Sequence, residues 1–213
     1  MSRIVVHGPA LSTYVWSVRI ALAEKGLDYE MPDFAFGQQR QPEHLARHPF
    51  AKVPAFEHDG FALYETQAIV RYIDEAFPGP ALQPADVRQR ARMNQVIGIM
   101  DAYGWPSIAG GIMFNRLIAP KMGMACDEAA VHGAIPRAQL CIAEWERLLD
   151  GQPYMAGDAF TLADVMLAPL MLYTPYTAET RALLAEAPRL SAWIERMRAH
   201  PSIAATSPPP MPE

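Results

Sequence analysis

The chain has 213 residues, of which 51% are hydrophobic, and a formal net charge of −5 at pH 7. This length fits one or two domains with a well-filled core, and the negative charge argues against nucleic acid as the main partner. Its two cysteines lack a C-x-x-C spacing, which indicates a reducing compartment and disfavours a disulfide framework or a metal site. No apolar run reaches the length of a signal-peptide core or a membrane span, so we expect a soluble, cytoplasmic protein.

The first eighty residues alternate strand and helix signals. A short buried strand at residues 3–7 precedes a helix that Ser12 or Thr13 can cap and that Lys25-Gly26 ends. The elements predicted after this helix are, in order, a strand at Tyr29–Phe34, an edge strand from Val53, a strand at Phe61–Tyr64 and a helix at Thr66–Phe77. Together these elements predict a small mixed α/β sheet flanked by helices.

A proline-rich stretch at residues 78–84 divides the chain, and strand signals largely vanish beyond it. We therefore expect domains at 1–79 and 86–213, with a linker at 80–85. The helices predicted in the second domain are a long one over 86–116 that is kinked at Gly98 and Pro106 and broken at Gly110-Gly111, one at Asp127–Leu149, a buried one opened by the near capping box Thr161-x-x-Asp164, a weaker one at Thr177–Ala187, and a final one that starts at Pro188.

The stretch around Val53-Pro54 carries the strongest functional signal. An X-Pro bond is the kind for which the cis form is cheap, and proline gives no N–H to a strand ladder. The backbone of Val53 is therefore available to an extended peptide. The pair Glu65-Thr66 then opens a helix, whose unpaired N–H groups attract a carboxylate. The stretch predicts a site for a small peptide that carries a carboxylate.

At this point the sequence resembles the cytosolic glutathione transferases. Four motifs carry the resemblance in the family's order and spacing: Ala21-Leu22-x-Glu24-Lys25-Gly26-Leu27, Lys52-Val53-Pro54, Glu65-Thr66-x-Ala68-Ile69-x-x-Tyr72-Ile73 and Phe160-Thr161-Leu162-Ala163-Asp164. The resemblance spans nearly the whole chain, and it is closest to serine-type, phi- and theta-like members, with a bacterial source expected. It implies a thioredoxin-like N-terminal domain and an all-α helical-bundle C-terminal domain.

The resemblance also implies how glutathione, the co-substrate, would be held. Val53 would pair with its cysteinyl backbone, while Thr66 and Glu65 would bind the carboxylate and the ammonium of its γ-glutamyl end. Relatives usually have serine in place of Thr66, so the added methyl implies a tighter fit. The residues expected to complete the site are Pro54, which fixes the turn, and Gln39, Arg40 and Lys52 for the glycyl carboxylate. Arg40 can equally be a solvated loop charge.

The glutathione thiol must be ionised to react, and a free thiol titrates near ~8.5. Ser12 stands at the start of the first helix and matches the catalytic serine of the serine-type classes. The same hydroxyl can be a plain helix cap, and Thr13 and Tyr14 are alternatives for the thiol contact. This region contains no cysteine, so a mixed disulfide with glutathione is not expected.

A second, hydrophobic substrate would lie between the domains. The side chains expected in its pocket are Leu11, Tyr14, Tyr103, Trp105, Met113 and Phe114. For each of them an ordinary core position is at least as good an explanation.

We therefore expect a homodimeric glutathione transferase that acts in detoxification and conjugates the thiolate of glutathione to a hydrophobic electrophile. The alternatives are a non-catalytic binding or regulatory protein of this fold and a glutathione-dependent isomerase or peroxidase. Trp16 and Gln67 both stand where relatives often have arginine. These two departures from the family pattern bear on the class to which the chain belongs and on its dimer contacts.

Overall fold

The computed structural model describes residues 3–35 and 37–209. Contacts between Cα atoms divide the chain into two compact units, one running to Leu82 and including the residues from His200 on, the other spanning Gln83–Ala199. The predicted domain limits at residues 79 and 86 stay a prediction. The contacts add that the chain returns to the first unit at its C-terminal end.

The regular elements alternate between strand and helix only in the first 76 residues. The strands are β1 (Ile4–His7), β2 (Ala55–His58) and β3 (Phe61–Tyr64). The α-helices are α1 (Thr13–Glu24), α2 (Pro42–Leu45), α3 (Thr66–Ala76), α4 (Val87–Ile99), α5 (Glu128–Leu149), α6 (Leu162–Leu172), α7 (Ala178–Leu184), α8 (Pro188–Ala199) and α9 (Pro201–Thr206). Other helical turns are a π-helical segment at Met100–Ile118 and 3₁₀ turns at Gln38–Arg40, Pro120–Met122 and Thr174–Tyr176.

The sheet consists of the three strands in the order β1-β2-β3, all antiparallel. His7 lies opposite Ala55, and Ala55 lies opposite Tyr64. The strand that follows Val53-Pro54 is thus the central one, and the prediction of an edge strand there was wrong. Pro54 cannot donate to the ladder, so the strand begins only after it and Val53 lies outside the sheet.

The strand predicted at Tyr29–Phe34 is reduced to a single bridge. The N–H of Glu30 donates to the carbonyl of Ile4 at 2.8 Å, and its carbonyl accepts from the N–H of Val6 at 2.9 Å. Pairing to β1 in this parallel register would next require an N–H from Pro32, which has none. The prediction of a strand here was therefore wrong, because the proline stops the ladder after one residue.

Helix α9, which was not predicted, packs on α1 in the first unit. The indole N–H of Trp16 donates to Oγ1 of Thr206 at 3.0 Å, and Glu24 lies 3.5 Å from His200. Trp16 is buried, so the tryptophan that replaces the family's usual arginine fills the α1–α9 contact. Its indole can be buried there because its one donor has found an acceptor.

A buried ion pair holds residues 80–82 against α1 and α3 within the first unit. The Nζ of Lys25, at the end of α1, lies 2.8 Å from Oδ1 of Asp74 in α3, and the two side chains are 2% and 6% exposed. The ammonium also donates to the carbonyl of Pro80, and the carboxylate accepts from the N–H of Leu82. Because both charges have further hydrogen bonds, their burial is compensated.

In the second unit the predicted long helix is continuous, and no break occurs at Gly110-Gly111. Beyond α4 the helix widens into the π-helical segment, which contains Pro106. Two glycines of this segment, Gly104 and Gly111, instead allow close packing against α5. A Cβ atom on Gly104 would lie 2.5 Å from the ring of Trp145, and one on Gly111 would lie 2.4 Å from the Cβ of Ala134.

We expect Gly111→Ala to destabilise the protein by about 1–3 kcal/mol, because the added methyl overlaps Ala134 and the two helices must separate. Gly98→Ala is the matched control, since apart from its own helix turn none of the described residues has an atom within 4 Å of the Cβ position. There the substitution removes a flexible residue from α4 and should be neutral or stabilising, by at most about 1 kcal/mol. Urea unfolding midpoints measure both changes. Equal midpoints for the two variants would contradict the close-packing role of Gly111.

The centre of the second unit is α6, every residue of which is buried. The predicted capping box is confirmed: Thr161 accepts from the N–H of Ala163, and Asp164 accepts from the N–H of Thr161. The start of α8 at Pro188 is confirmed as well. In the described part of the chain, no helix has both the length and the hydrophobicity that crossing a bilayer requires.

Candidate functional site

Three segments of the first unit meet at one end of the sheet. His7 ends β1, Ala55 begins β2 and Tyr64 ends β3, and these residues pair in one row across the sheet. The segments that adjoin this row are residues 8–12, 53–54 and 65–66. The register therefore brings together the start of α1, the Val53-Pro54 turn and the start of α3.

Ser12 is the N-cap of α1, and its Oγ accepts the N–H of Val15 at 3.4 Å. The hydroxyl is half-buried, as are Thr13 and Tyr14 next to it. An oxygen that accepts a hydrogen bond keeps its own proton to donate. Capping and donation to a bound ligand are thus compatible for this residue.

The peptide bond between Val53 and Pro54 is cis, the form that is accessible to X-Pro bonds. Within residues 3–35 and 37–209, neither the N–H nor the carbonyl of Val53 has a hydrogen-bond partner. Gly8 lies against this residue, since a Cβ atom there would be 3.0 Å from the Cβ of Val53 and 2.5 Å from a methyl of Val15. Glycine at position 8 therefore allows Val53 to lie beside the end of β1. The signal for this in the sequence is a glycine placed directly after the first strand.

Glu65 and Thr66 form the entrance to α3. Glu65 is exposed and has φ = 71°, a backbone conformation that non-glycine residues seldom adopt, and Thr66 is 7% exposed. No side chain among the described residues caps this helix, so its first N–H groups remain available to a carboxylate. Gln67, which replaces the family's common arginine, accepts a hydrogen bond from Arg71 at 2.9 Å.

The predicted glycyl-carboxylate residues lie in and near the α2 segment. Gln39 and Arg40 belong to the 3₁₀ turn that leads into α2, where Arg40 is exposed. Lys52 has an exposed side chain, and its carbonyl accepts a hydrogen bond of 2.7 Å from Nε2 of His44. Because a carbonyl only accepts, Nε2 of His44 must carry the proton. This bond ties α2 to the residue immediately before Val53.

An aromatic cluster, which the sequence analysis missed, lies beside these segments. Its members are Phe34, His44, His48, Phe50 and Tyr64, with neighbouring ring centroids 4.8–6.3 Å apart. Both histidines are buried. The sequence offered only the spacing of four between them, which places two imidazoles on one face of a helical turn. The cluster supports Lys52 through its first histidine and the end of β3 through its tyrosine.

A second group of charges lies on β1, β2 and the loop after α2. Oε1 of Glu57 is 3.1 Å from His7 and 2.9 Å from Arg47. The hydrogen bond from Arg47 lowers the pKa of Glu57, and burial lowers the pKa of His7. A cavity of about 370 Å³ borders this group and α2. Among the described residues its walls include His7, the last residue of β1, but none from the segments 8–12, 53–54 and 65–66, so we do not assign it to the site.

The residues expected to contact a second substrate differ in exposure. Leu11 and Tyr103 are exposed, Trp105 and Phe114 are half-buried, and Met113 is buried in the second unit. The guanidinium of Arg137 covers the ring of Tyr103 at 5.5 Å. Assignment of these residues to one pocket stays a prediction.

Both cysteines are free thiols in the second unit. Cys141 is buried, and burial raises its pKa, while Cys126 is half-buried and accepts a hydrogen bond of 3.2 Å from Arg116. Burial also raises the pKa of Cys126. Over the described residues, no group of three or more His, Cys, Asp or Glu side chains is placed to hold a metal ion.

Comparison with protein families gives a match at each end of the chain. Residues 6–75 match the model described as glutathione S-transferase, N-terminal domain, and residues 128–196 match glutathione S-transferase, C-terminal domain. The first match contains every segment of the site at the Val53 end of the sheet. The second contains α5, α6 and most of α8.

Individual proteins match over almost their whole length. A glutathione S-transferase of Hyoscyamus muticus is 32% identical over 92% of this chain and 94% of its own. The crystal structure of glutathione transferase F7 from Populus trichocarpa superposes with a TM-score of 0.87 at 28% identity, covering 96% of this chain and 97% of its own. Glutathione S-transferase I from maize, solved in complex with an atrazine glutathione conjugate, gives a TM-score of 0.84 at 26% identity, with 98% and 99% covered.

Proposed function

Since the chain belongs to the glutathione S-transferase family, we propose that it conjugates the thiolate of glutathione to a hydrophobic electrophile. The observation that carries this proposal is the sheet register, because it brings the starts of two helices and an unpaired backbone segment to one place. A related maize enzyme was solved with a glutathione conjugate of atrazine, which is the product of such a reaction.

The γ-glutamyl and cysteinyl parts of glutathione would use the best-defined groups. Val53 would pair with the cysteinyl backbone through its free N–H and carbonyl. The γ-glutamyl carboxylate would bind at the uncapped start of α3, where Thr66 adds a hydroxyl, and the ammonium would bind the exposed carboxylate of Glu65. Pro54 fixes the turn that keeps Val53 outside the sheet. This arrangement suits a short peptide that carries an ammonium and a carboxylate together at its γ-glutamyl end.

The glycyl carboxylate would face the α2 segment. Lys52 and Arg40 are exposed cations, and Gln39 offers an amide. The carbonyl of Lys52 is held by His44, so its position depends on α2. Lysine and arginine are both suited to a carboxylate, and arginine can bind it with two parallel hydrogen bonds.

The assignment to serine-type, phi- or theta-like enzymes rests on Ser12 and on the lack of any cysteine before Cys126. The expected bacterial source stays a prediction, while the relatives named above come from plants. A role in detoxification and a cytoplasmic location are proposed on the same grounds. The homodimer is supported by large exposed apolar side chains such as Phe50 and Leu140, 66% and 62% exposed, and sedimentation equilibrium tests it.

Two measurements test the function. The protein should be retained on immobilised glutathione and eluted by free glutathione. It should also accelerate the reaction of glutathione with a chloronitrobenzene above the uncatalysed rate. Retention without turnover would favour a non-catalytic binding protein of this fold, and the loss of both would refute the proposal.

A further inference from the structure

His48 is a buried titratable side chain with no part in the proposed chemistry. Only 2% of it is exposed, and its Nδ1 has no hydrogen-bond partner in the described part of the chain. A buried polar atom without a partner costs free energy, so its presence calls for an explanation. A phenylalanine would fill the same space without this cost.

The ring of His48 lies beside the segment that would bind the ligand's ammonium. Its centroid is 4.8 Å from that of Tyr64, with the planes tilted by 37°, and Tyr64 immediately precedes Glu65. The other ring of the cluster that can carry charge is His44, stacked at 6.3 Å. The imidazole therefore contacts a second imidazole and the ring of the residue that precedes Glu65.

Burial and nearby charged groups affect the pKa of His48 in opposite directions. Burial is the main cause that lowers its pKa below the ordinary value, and His44 and Lys52 act in the same direction. The carboxylate of Glu65, and after it the backbone of His48 itself, act in the opposite direction, because they favour the protonated imidazole. Glu65 is thus the one carboxylate among these neighbours that stabilises charge on the ring.

We propose that His48 is a positioning residue of the glutathione site, and that its proton and the ammonium of glutathione compete for the charge of Glu65. This inference rests on the proposed function. When the ammonium binds, the carboxylate no longer stabilises a protonated ring, and the proton leaves. By linkage, protonation of His48 weakens glutathione binding to the same degree. Affinity therefore falls as the pH drops below the ordinary histidine range and the ring gains its proton.

Binding of S-methylglutathione by isothermal titration calorimetry tests this, because its sulfur does not titrate. The variant His48→Phe keeps an aromatic ring against Tyr64 but cannot be protonated. Between about pH 7.5 and about pH 5, we expect the Kd of the wild type to increase about fivefold more than that of the variant. Titrations in buffers of different ionisation enthalpy should show proton release in acid that the variant lacks.

The difference in pH dependence between the wild type and His48→Phe distinguishes protonation of His48 from protonation of other groups. Protonation of His7 or His200 would change both proteins alike. Equal pH dependence and equal proton release would overturn the inference, even with tight binding at about pH 7.5. Failure of the wild type to bind S-methylglutathione at that pH would instead refute the proposed function. If His48→Phe does not fold, His48→Asn gives a second non-titrating variant with the same expected outcome.

Discussion

Replacing Asp164 with alanine should lower the free energy of unfolding by about 4 kcal/mol or more. The carboxylate is fully buried and accepts four hydrogen bonds, two on each oxygen. The donors are the N–H of Met155, the N–H and hydroxyl of Thr161 and the indole N–H of Trp193, at 2.9–3.1 Å. Alanine would leave these donors buried without an acceptor, at about 1–3 kcal/mol for each neutral group. One side chain thus joins the start of α6, the preceding loop and α8.

Asp158→Ala is the control for this variant, since that aspartate is exposed in the same loop and a change there should cost less than about 0.5 kcal/mol. Urea or thermal unfolding measures both variants. A loss of stability as small for Asp164→Ala as for the control would mean that water replaces the missing acceptor.

The pH dependence of the same variant is a separate expected result. Burial outweighs the four hydrogen bonds and raises the pKa of Asp164 to about 6. A carboxyl whose folded pKa lies above its unfolded value of ~3.9 stabilises the fold most at low pH, and this contribution is lost as the pH rises through 6. The gap in stability between wild type and Asp164→Ala should therefore widen by about 1 kcal/mol from pH ~7.5 to pH ~5. A stability difference that is smaller at pH ~5 than at pH ~7.5 would show that the hydrogen bonds outweigh burial and lower the pKa of Asp164.

The sequence predicted those parts of the site that depend on local chemistry. The Val53-Pro54 turn, the helix start at Thr66 and the cap at Ser12 each follow from a residue type with one strong backbone preference. The capping box of α6 is of the same kind, because its partners are three residues apart. The family resemblance then supplied the fold class, which the structure and its relatives confirm.

What the sequence did not reveal depends on residues far apart in the chain. The hydrogen bond from His44 to Lys52 and the contact of His48 with Tyr64 link elements that no periodicity connects. The central position of β2 likewise follows from pairing with β3, whereas proline alone suggested an edge. Gly111 was read as a helix break, since a close approach to α5 cannot be known before the helices are packed.

The starts of α1 and α3, at the Val53 end of the sheet, are suited to stabilising different anionic groups of the ligand. Both carry partial positive charge, worth about 0.3–1 kcal/mol to a nearby anion. The start of α3 has no side-chain cap and is open to a carboxylate. The start of α1 is capped by Ser12, whose hydroxyl proton remains to be donated. A carboxylate is best bound by several N–H groups, whereas a thiolate can be stabilised by one hydroxyl. We therefore propose that the two helix starts serve the γ-glutamyl carboxylate and the thiolate, two of the three anionic groups of glutathione.

Substituting Ser12 by alanine should reduce the rate of conjugation at neutral pH by roughly 10- to 10³-fold, the loss that corresponds to about 1.5–4 kcal/mol. Lowering the pKa of a thiol from ~8.5 by ~2 units takes roughly 2.7 kcal/mol. One hydrogen bond to the charged sulfur supplies about 1.5–3 kcal/mol, and the helix start adds the remainder. The rate of Ser12→Ala should therefore recover in alkali, with a midpoint near ~8.5, because free thiolate becomes abundant there.

Two further variants separate catalysis from capping. Ser12→Thr keeps both a cap and a hydroxyl and should restore much of the rate. Ser17→Ala removes a buried hydroxyl from the same helix, where it donates to the carbonyl of Thr13, and should leave the rate unchanged. Retention on immobilised glutathione should persist in all three variants, since the peptide's other contacts remain. If Ser12→Ala reacts as fast as the wild type with an unchanged pH profile, the thiolate must be stabilised by Thr13 or Tyr14, because these are the other hydroxyls at the same helix start.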